Sequence, residues 1–256
     1  MASEQIRFTA FGVPIEVVVP RRLQAGAVAV TPPGAVGAGV GGPRVTVEED
    51  KGSLRIAVDG SMVGTTDDEG QALGMLDAQI RAQVALLAPD HIFVHAGVVA
   101  IDGRAVVLPG FTFAGKTTLT HALVQAGAVY YSDEFAVIDA DGLVHPYPKP
   151  LSIRHHDGTG RTTETSAAAL GAATGREPVP IGLVAVTSYR PGATLGPEPL
   201  ASGAALLALL THTIPARTRP GQAMAALKLA VQGAAAWKSE RGEATETARA
   251  IIDSLS

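Results

Sequence analysis

The chain has no cysteine, which excludes disulfides and thiolate metal sites but leaves the compartment open. Charge is sparse as well. Charged residues make up 17% of the chain and the formal net charge is −4, so nothing here argues for a nucleic-acid surface. No apolar run approaches the ~18 residues a membrane span requires. The opening MASEQIRFTA has no charged-then-apolar leader. No signal peptide is therefore expected, and the cytoplasm is the default location. There is no tandem repeat of roughly 20–50 residues. What the chain does have is apolar bulk. With 46% hydrophobic residues over 256 positions, it can bury the core of one large or two modest domains.

The first 72 residues read as a β-rich region. Ile15–Val19 is a strand candidate that stops at Pro20, and Arg44–Glu48 alternates polar and apolar residues with period two. Asp50-Lys51-Gly52-Ser53 and Asp59-Gly60 turn the chain on either side of Leu54–Val58. Between these strands, Gln24–Pro43 is rich in Gly, Ala, Pro and Val, and composition leaves it open between loop and weakly patterned sheet. Leu73, Leu76, Ile80, Val84 and Leu87 then recur at helical spacing before Pro89. Residues 73–256 are expected to form the second and larger domain. In it Ile92–Ala100 and Arg104–Leu108 flank Asp102-Gly103, the signature of a tight hairpin. Further on, Ile181–Ser188 reads as a buried strand, and Gly203–Leu210, Gly221–Ala236 and Glu243–Leu255 read as helices.

Chemistry concentrates at AVVLPGFTFAGKTT, residues 105–118. Gly110 and Gly115-Lys116-Thr117 satisfy G-x-x-x-x-G-K-[ST], with an apolar strand before and a helix pattern after, as a phosphate-binding (Walker A) loop requires. In such a loop backbone N–H groups curl around phosphate oxygens, the helix N-terminus adds positive dipole, and the lysine supplies a full charge. The nucleotide-binding candidates are therefore Gly110, Phe111, Thr112, Phe113, Ala114, Gly115, Lys116, Thr117 and Thr118. Phe113 occupies a place where many such loops have glycine, and it is expected to pack on the core side of the loop.

Asp133 and Glu134 form the second feature, beyond the helix that follows the loop, where an acid that binds Mg²⁺ belongs. Neighbours on a strand point to opposite faces, so both reach one site only if the strand ends or bends there, which Ser132 would permit. His95, in Val94-His95-Ala96-Gly97, is on its own merits an ordinary strand histidine.

Taken in order, His95-Ala96-Gly97, GKTT, Ala126-Gly127 and Asp133-Glu134 resemble the HPr kinase/phosphorylase family and its shorter kinase relatives, including those encoded beside lasso-peptide genes. The resemblance covers roughly residues 91–154 and is only an outline in the C-terminal third. It implies an α/β (α+β) fold with a mixed sheet, a phosphoenolpyruvate-carboxykinase-like P-loop core, and a smaller β-rich N-terminal region. By the same resemblance His95 matches an active-site histidine, Lys116 the loop lysine, Thr117 and Asp133 the Mg²⁺ ligands, and Glu134 the base that deprotonates the acceptor. Glu134 is one methylene longer than the family's aspartate. The family's later signature segment, which takes part in its phosphorylase activity, is not recognisable after Arg154, where His155–Thr165 stands instead, so the resemblance does not extend to dephosphorylation.

Together these features suggest an ATP- and Mg²⁺-dependent kinase acting on a hydroxyl of a peptide, protein or small molecule, with neither membrane nor nucleic acid as partner. Assembly into a homo-oligomer would follow the family. The alternative is a nucleotide-responsive binding module without phosphotransfer. Arg154, Arg161, Arg217 and Arg219 are candidates for phosphate or adenine contacts. Arg219 leads them, because it sits in a loop before a helix.

Overall fold

The computed structural model describes residues 3–37, 39–111, 115–154 and 162–255. The chain forms two compact units, residues 1–90 and 91–256. Phe113 and Arg161, and with them the expectation for Phe113, lie outside the described residues.

In the first unit, β1 (Ser3–Ala10), β2 (Val13–Pro20), β3 (Arg44–Asp50), β4 (Ser53–Val58) and β5 (Ser61–Thr66) form one sheet in chain order. A short helix, α1 (Gln24–Ala29), occupies part of the glycine- and alanine-rich stretch. Val13, Ile15, Val17 and Val19 are all buried, the period-two pattern of a half-buried strand. The long helix α2 (Glu69–Leu87) starts where the Asp68 carboxylate accepts the Gln71 N–H at 2.7 Å, an N-cap worth about 1 kcal/mol. It buries Leu76, Ile80 and Val84 and packs on the sheet of this unit. A division after residue 72 would cut this helix; the first unit runs to Asp90.

The second unit is a mixed α/β layer structure. Its strands are β6 (His91–Ile101), β7 (Arg104–Pro109), β8 (Val129–Ser132), β9 (Phe135–Asp139), β10 (Val144–His145), β11 (Leu151–Arg154), β12 (Thr162–Thr165), β13 (Ile181–Tyr189), β14 (Glu198–Pro199) and β15 (Ala235–Arg241). Its helices are α3 (Lys116–Gln125), α4 (Ser202–Thr211), α5 (Pro220–Ala230) and α6 (Ala244–Asp253). The main sheet runs β10-β9-β6-β7-β13-β15-β14, with β8 also on β6. β6 and β7 are antiparallel, whereas β7, β13 and β15 are mutually parallel. The joint between these two halves is the Asp102-Gly103 hairpin. Both of its residues have positive φ (48° and 73°), the backbone a type I′ turn demands and Asp-Gly supplies.

Each face of this sheet has its own core. Val94, Ala96 and Val98 pack with Leu209, Ala226 and Leu227 on the α4/α5 side. Val99, Val106 and Leu108 pack with Leu119, Leu123 and Ile251 on the α3/α6 side. Being buried on both faces explains the nearly unbroken apolar runs of β6 and β7. The helix expected over 221–236 is shorter: α5 ends at Ala230, Gly233 turns the chain at φ 79°, and β15 begins. Alanine favours helix locally, but a full parallel ladder to β13 from Ala235 to Arg241 overrides that preference.

Candidate active site

The site is built at the level of His95 and Ala96, midway along β6. Here β7 ends, with Pro109 opposite Ala96, and the Gly110 N–H donates to the His95 carbonyl at 3.4 Å. His212 and Thr213 occupy the place β7 leaves. The His212 carbonyl accepts the His95 N–H at 2.8 Å, and Thr213 bridges Val94. On the opposite side of β6, the Ala96 N–H donates to the Glu134 carbonyl at 3.0 Å. One short length of strand therefore ties the start of the glycine-lysine loop to the acidic pair.

The two acids sit where the chain bends between β8 and β9. The buried Ser132 hydroxyl accepts the N–H groups of Glu134 (3.1 Å) and Phe135 (2.9 Å), a local side-chain turn that competes with strand extension. The turn lets adjacent acids escape the opposite-face rule of a strand. Asp133 is buried. Its carboxylate accepts from the Tyr130 hydroxyl at 3.4 Å and the Ser152 N–H at 3.3 Å. Burial raises its pKa, against the opposing pull of Lys149 and these hydrogen bonds. Glu134 is half-buried, with Oε2 3.7 Å from the Lys149 ammonium, which also lies 3.8 Å from Glu164.

Lys116 opens α3. Its ammonium donates to the carbonyls of Gly110 (2.9 Å) and Phe111 (2.8 Å), which places the charge at the mouth of the loop. Burial lowers its pKa from 10.5 to about 8, and the Asp133 charge acts in the opposite direction. Lysine and buried aspartate are thus within electrostatic reach of each other. Gly115 precedes the helix in the left-handed conformation, φ 77°, which glycine adopts without penalty. Thr117 is half-buried and Thr118 exposed. Thr112, Phe113 and Ala114 are outside the described residues.

His95 lies on the α3 side of β6, its ring centroid 6.3 Å from that of Phe135. The next residue but one is the reason for the small residues after it. A Cβ on Gly97 would overlap the Thr120 hydroxyl of α3, so this glycine lets the loop helix approach the strand. His212 packs its ring edge-on to the exposed Phe111, 4.4 Å between centroids. Its pKa is lowered by burial first and by the Lys116 charge second. Arg219 is half-buried at the start of α5 and donates to the Gln222 side chain at 3.0 Å. Arg217 is exposed.

The structure therefore brings together His95, Gly110, Phe111, Lys116, Asp133 and Glu134. Two neighbours carry no sequence signal. Lys149 lies in an irregular proline-flanked segment and is joined to the acids only by folding. Arg241 ends β15, of which only Ala235-Ala236 fall within the expected helix, and its guanidinium reaches the Gly115 carbonyl at 2.9 Å. Among the described residues no group of three or more His, Asp or Glu is placed to hold a metal ion unaided, and no helix is long and apolar enough to cross a membrane.

Fold and site define a class: a mixed α/β domain with a glycine-lysine turn between strand and helix and a buried carboxylate within reach of the lysine. No protein-family model matches the chain, and no curated protein does. Among solved structures it is similar to the HPr(Ser) kinase/phosphatase from Coxiella burnetii, at 16% sequence identity and a TM-score of 0.31. That match covers 64% of this chain and 92% of the other. At this identity and TM-score nothing about the fold or the chemistry of this chain follows from the match.

Proposed function

We propose that the second unit is an ATP- and Mg²⁺-dependent kinase that transfers the γ-phosphoryl group to a hydroxyl of a peptide, protein or small molecule. One observation carries this reading: the His95-Ala96 stretch of β6 bonds on one side to Gly110, whose carbonyl accepts the Lys116 ammonium, and on the other to Glu134, which follows the buried Asp133 in the same bend. A lysine at the start of a helix, joined through one strand to an acidic pair, suits a bound phosphate chain and its metal.

In this mechanism Gly110–Thr118 is a phosphate-binding loop. The first amides of α3 and the Lys116 ammonium hold phosphate oxygens. Mg²⁺, when bound, neutralises phosphate charge; the Thr117 hydroxyl and Asp133 would hold it, with phosphate oxygens and water completing its shell. The acceptor hydroxyl gives its proton to Glu134 as its oxygen bonds to the γ-phosphorus. The bond from that phosphorus to the bridging oxygen breaks, and ADP leaves with the electron pair. Lys149 holds the Glu134 carboxylate in place, and Lys116 with His95 stabilises charge on the group in transit. Such catalysis is mostly positioning and electrostatics.

The test is mass spectrometry of phosphorylated products from the purified chain, MgATP and a panel of hydroxyl-bearing peptides, proteins and metabolites. Glu134→Gln is expected to lower turnover about 10²–10⁴-fold with ATP affinity retained. Transfer that survives this change removes Glu134 as the base. ATP binding with no product anywhere in the panel favours a binding module instead.

A further inference from the structure

Arg241 is 2% exposed, and its charge is unusually placed. Nη2 donates to the Gly115 carbonyl at 2.9 Å and Nη1 to the Gly242 carbonyl at 3.0 Å, while the buried Nε has no hydrogen-bond partner among the described residues. The guanidinium carbon lies 5.4 Å from the Tyr189 ring centroid. Glu243 acts on the guanidinium only through space, and its carboxylate instead accepts the Tyr189 hydroxyl at 3.2 Å. Among the described residues no carboxylate pairs with it; burying such a cation is costly, and burial accordingly lowers its pKa.

The Gly115 carbonyl accepts two hydrogen bonds, one from Arg241 and one from the Leu119 N–H at 3.1 Å, the first turn of α3. A Cβ on Gly115 would overlap the guanidinium. Glycine at this position is therefore required twice, by its left-handed backbone and by the arginine behind it. The strand ladder explains how the arginine gets there. Arg241 pairs with Tyr189 at the ends of parallel β15 and β13, and the Tyr189 Cβ stands 4.0 Å from the place a Gly115 Cβ would take.

We propose that Arg241 is a positioning residue for phosphate binding. From behind the loop it fixes Gly115 at the start of α3 and sets a permanent positive charge beneath the amides that meet the phosphates. This rests on reading residues 110–118 as a phosphate loop. The role is distinct from that of Lys116, whose ammonium reaches the loop mouth, because the guanidinium is closed off from solvent and acts through Gly115.

The test is calorimetric titration of the full chain with pyrophosphate, ADP and MgATP, comparing wild type with R241M, R241Q, R241K and R241A. Losing a charge-assisted hydrogen bond predicts about tenfold weaker binding of all three anions by R241M and R241Q, with R241K between them and wild type. Added ethylguanidinium should restore part of the affinity of R241A, a rescue that a packing role alone would not give. Circular dichroism melts fix a temperature at which each variant is folded. If R241M does not fold, R241K carries the test, and R241K affinities within twofold of wild type overturn the proposal. So do R241M affinities within twofold of wild type. If wild type itself binds none of the three anions, the phosphate-loop reading fails and this role fails with it.

Discussion

Raising the pH from 7 to 9 is expected to weaken nucleotide binding about tenfold through a single amine. Lys116 titrates at about 8 in the folded protein, down from 10.5, because burial disfavours its charge. Of the two forms of Lys116 only the ammonium attracts phosphate, so its share of the affinity scales with its protonated fraction, about nine-tenths at pH 7 and one-tenth at pH 9. The phosphates of ADP are already ionised over this range, so they add no slope. Stability without nucleotide should move the other way. A lysine with a lowered pKa leaves the folded chain holding fewer protons than the unfolded chain between pH 8 and 10.5, so stability rises through that window. At ~1.4 kcal/mol per unit the ceiling is about 3 kcal/mol. Lys116 retains some solvent, which reduces the expected gain to ~1 kcal/mol. The assay is calorimetric ADP titration at half-unit pH steps, with denaturant melts in parallel. Lys116→Arg is the control, since a guanidinium stays charged and should flatten the binding profile. An ADP affinity that is constant from pH 7 to 9 in wild type would refute the argument.

Two further outcomes follow from packing at the site. Burial raises the Asp133 pKa, and a carboxyl raised in the folded state loses its favourable contribution as pH climbs through that pKa. Burying this carboxyl therefore costs stability at neutral pH. Asp133→Asn should stabilise the nucleotide-free chain by on the order of 1 kcal/mol, read as a higher melting point, while removing the Mg²⁺-dependent part of ADP affinity; a lower melting point contradicts this. Gly97→Ala should destabilise by ~1–3 kcal/mol through overlap with Thr120. The buried Thr120 hydroxyl has no hydrogen-bond partner among the described residues, so Thr120→Ala alone should change little and should relieve Gly97→Ala in the double variant. Denaturant melts of the four proteins close that cycle.

What the sequence made legible was whatever local chemistry dictates. Asp102-Gly103 selects its own turn, α2 shows its apolar stripe and its Asp68 cap, and the glycine-lysine spacing stands between a strand and a helix pattern. The bend at Asp133-Glu134 was half legible: a bend was needed if both acids were to act, and Ser132 was the residue able to form it. The unread parts are those made by contacts distant in sequence. Lys149 has no pattern around it. β15 begins in an alanine pair that reads as the end of a helix, and no local pattern ties Arg241 at its end to the loop, although Gly115 is shaped around it. The α2 stripe identifies a helix and does not say which sheet it covers, so a boundary at residue 72 falls inside α2.

The bond between Arg241 and Gly115 spans 126 residues, and this sets a schedule for making the protein. A chain is synthesised from its N-terminus at ~5–20 residues per second, so the arginine follows the loop by roughly 6–25 s. During that interval Lys116 and the residues of α3 already exist, but the guanidinium that holds Gly115 does not. Nascent chains halted before residue 241 should therefore carry the loop sequence without its full grip on nucleotide. Affinity for ADP would then mark the moment at which the last strand of the parallel trio is laid down.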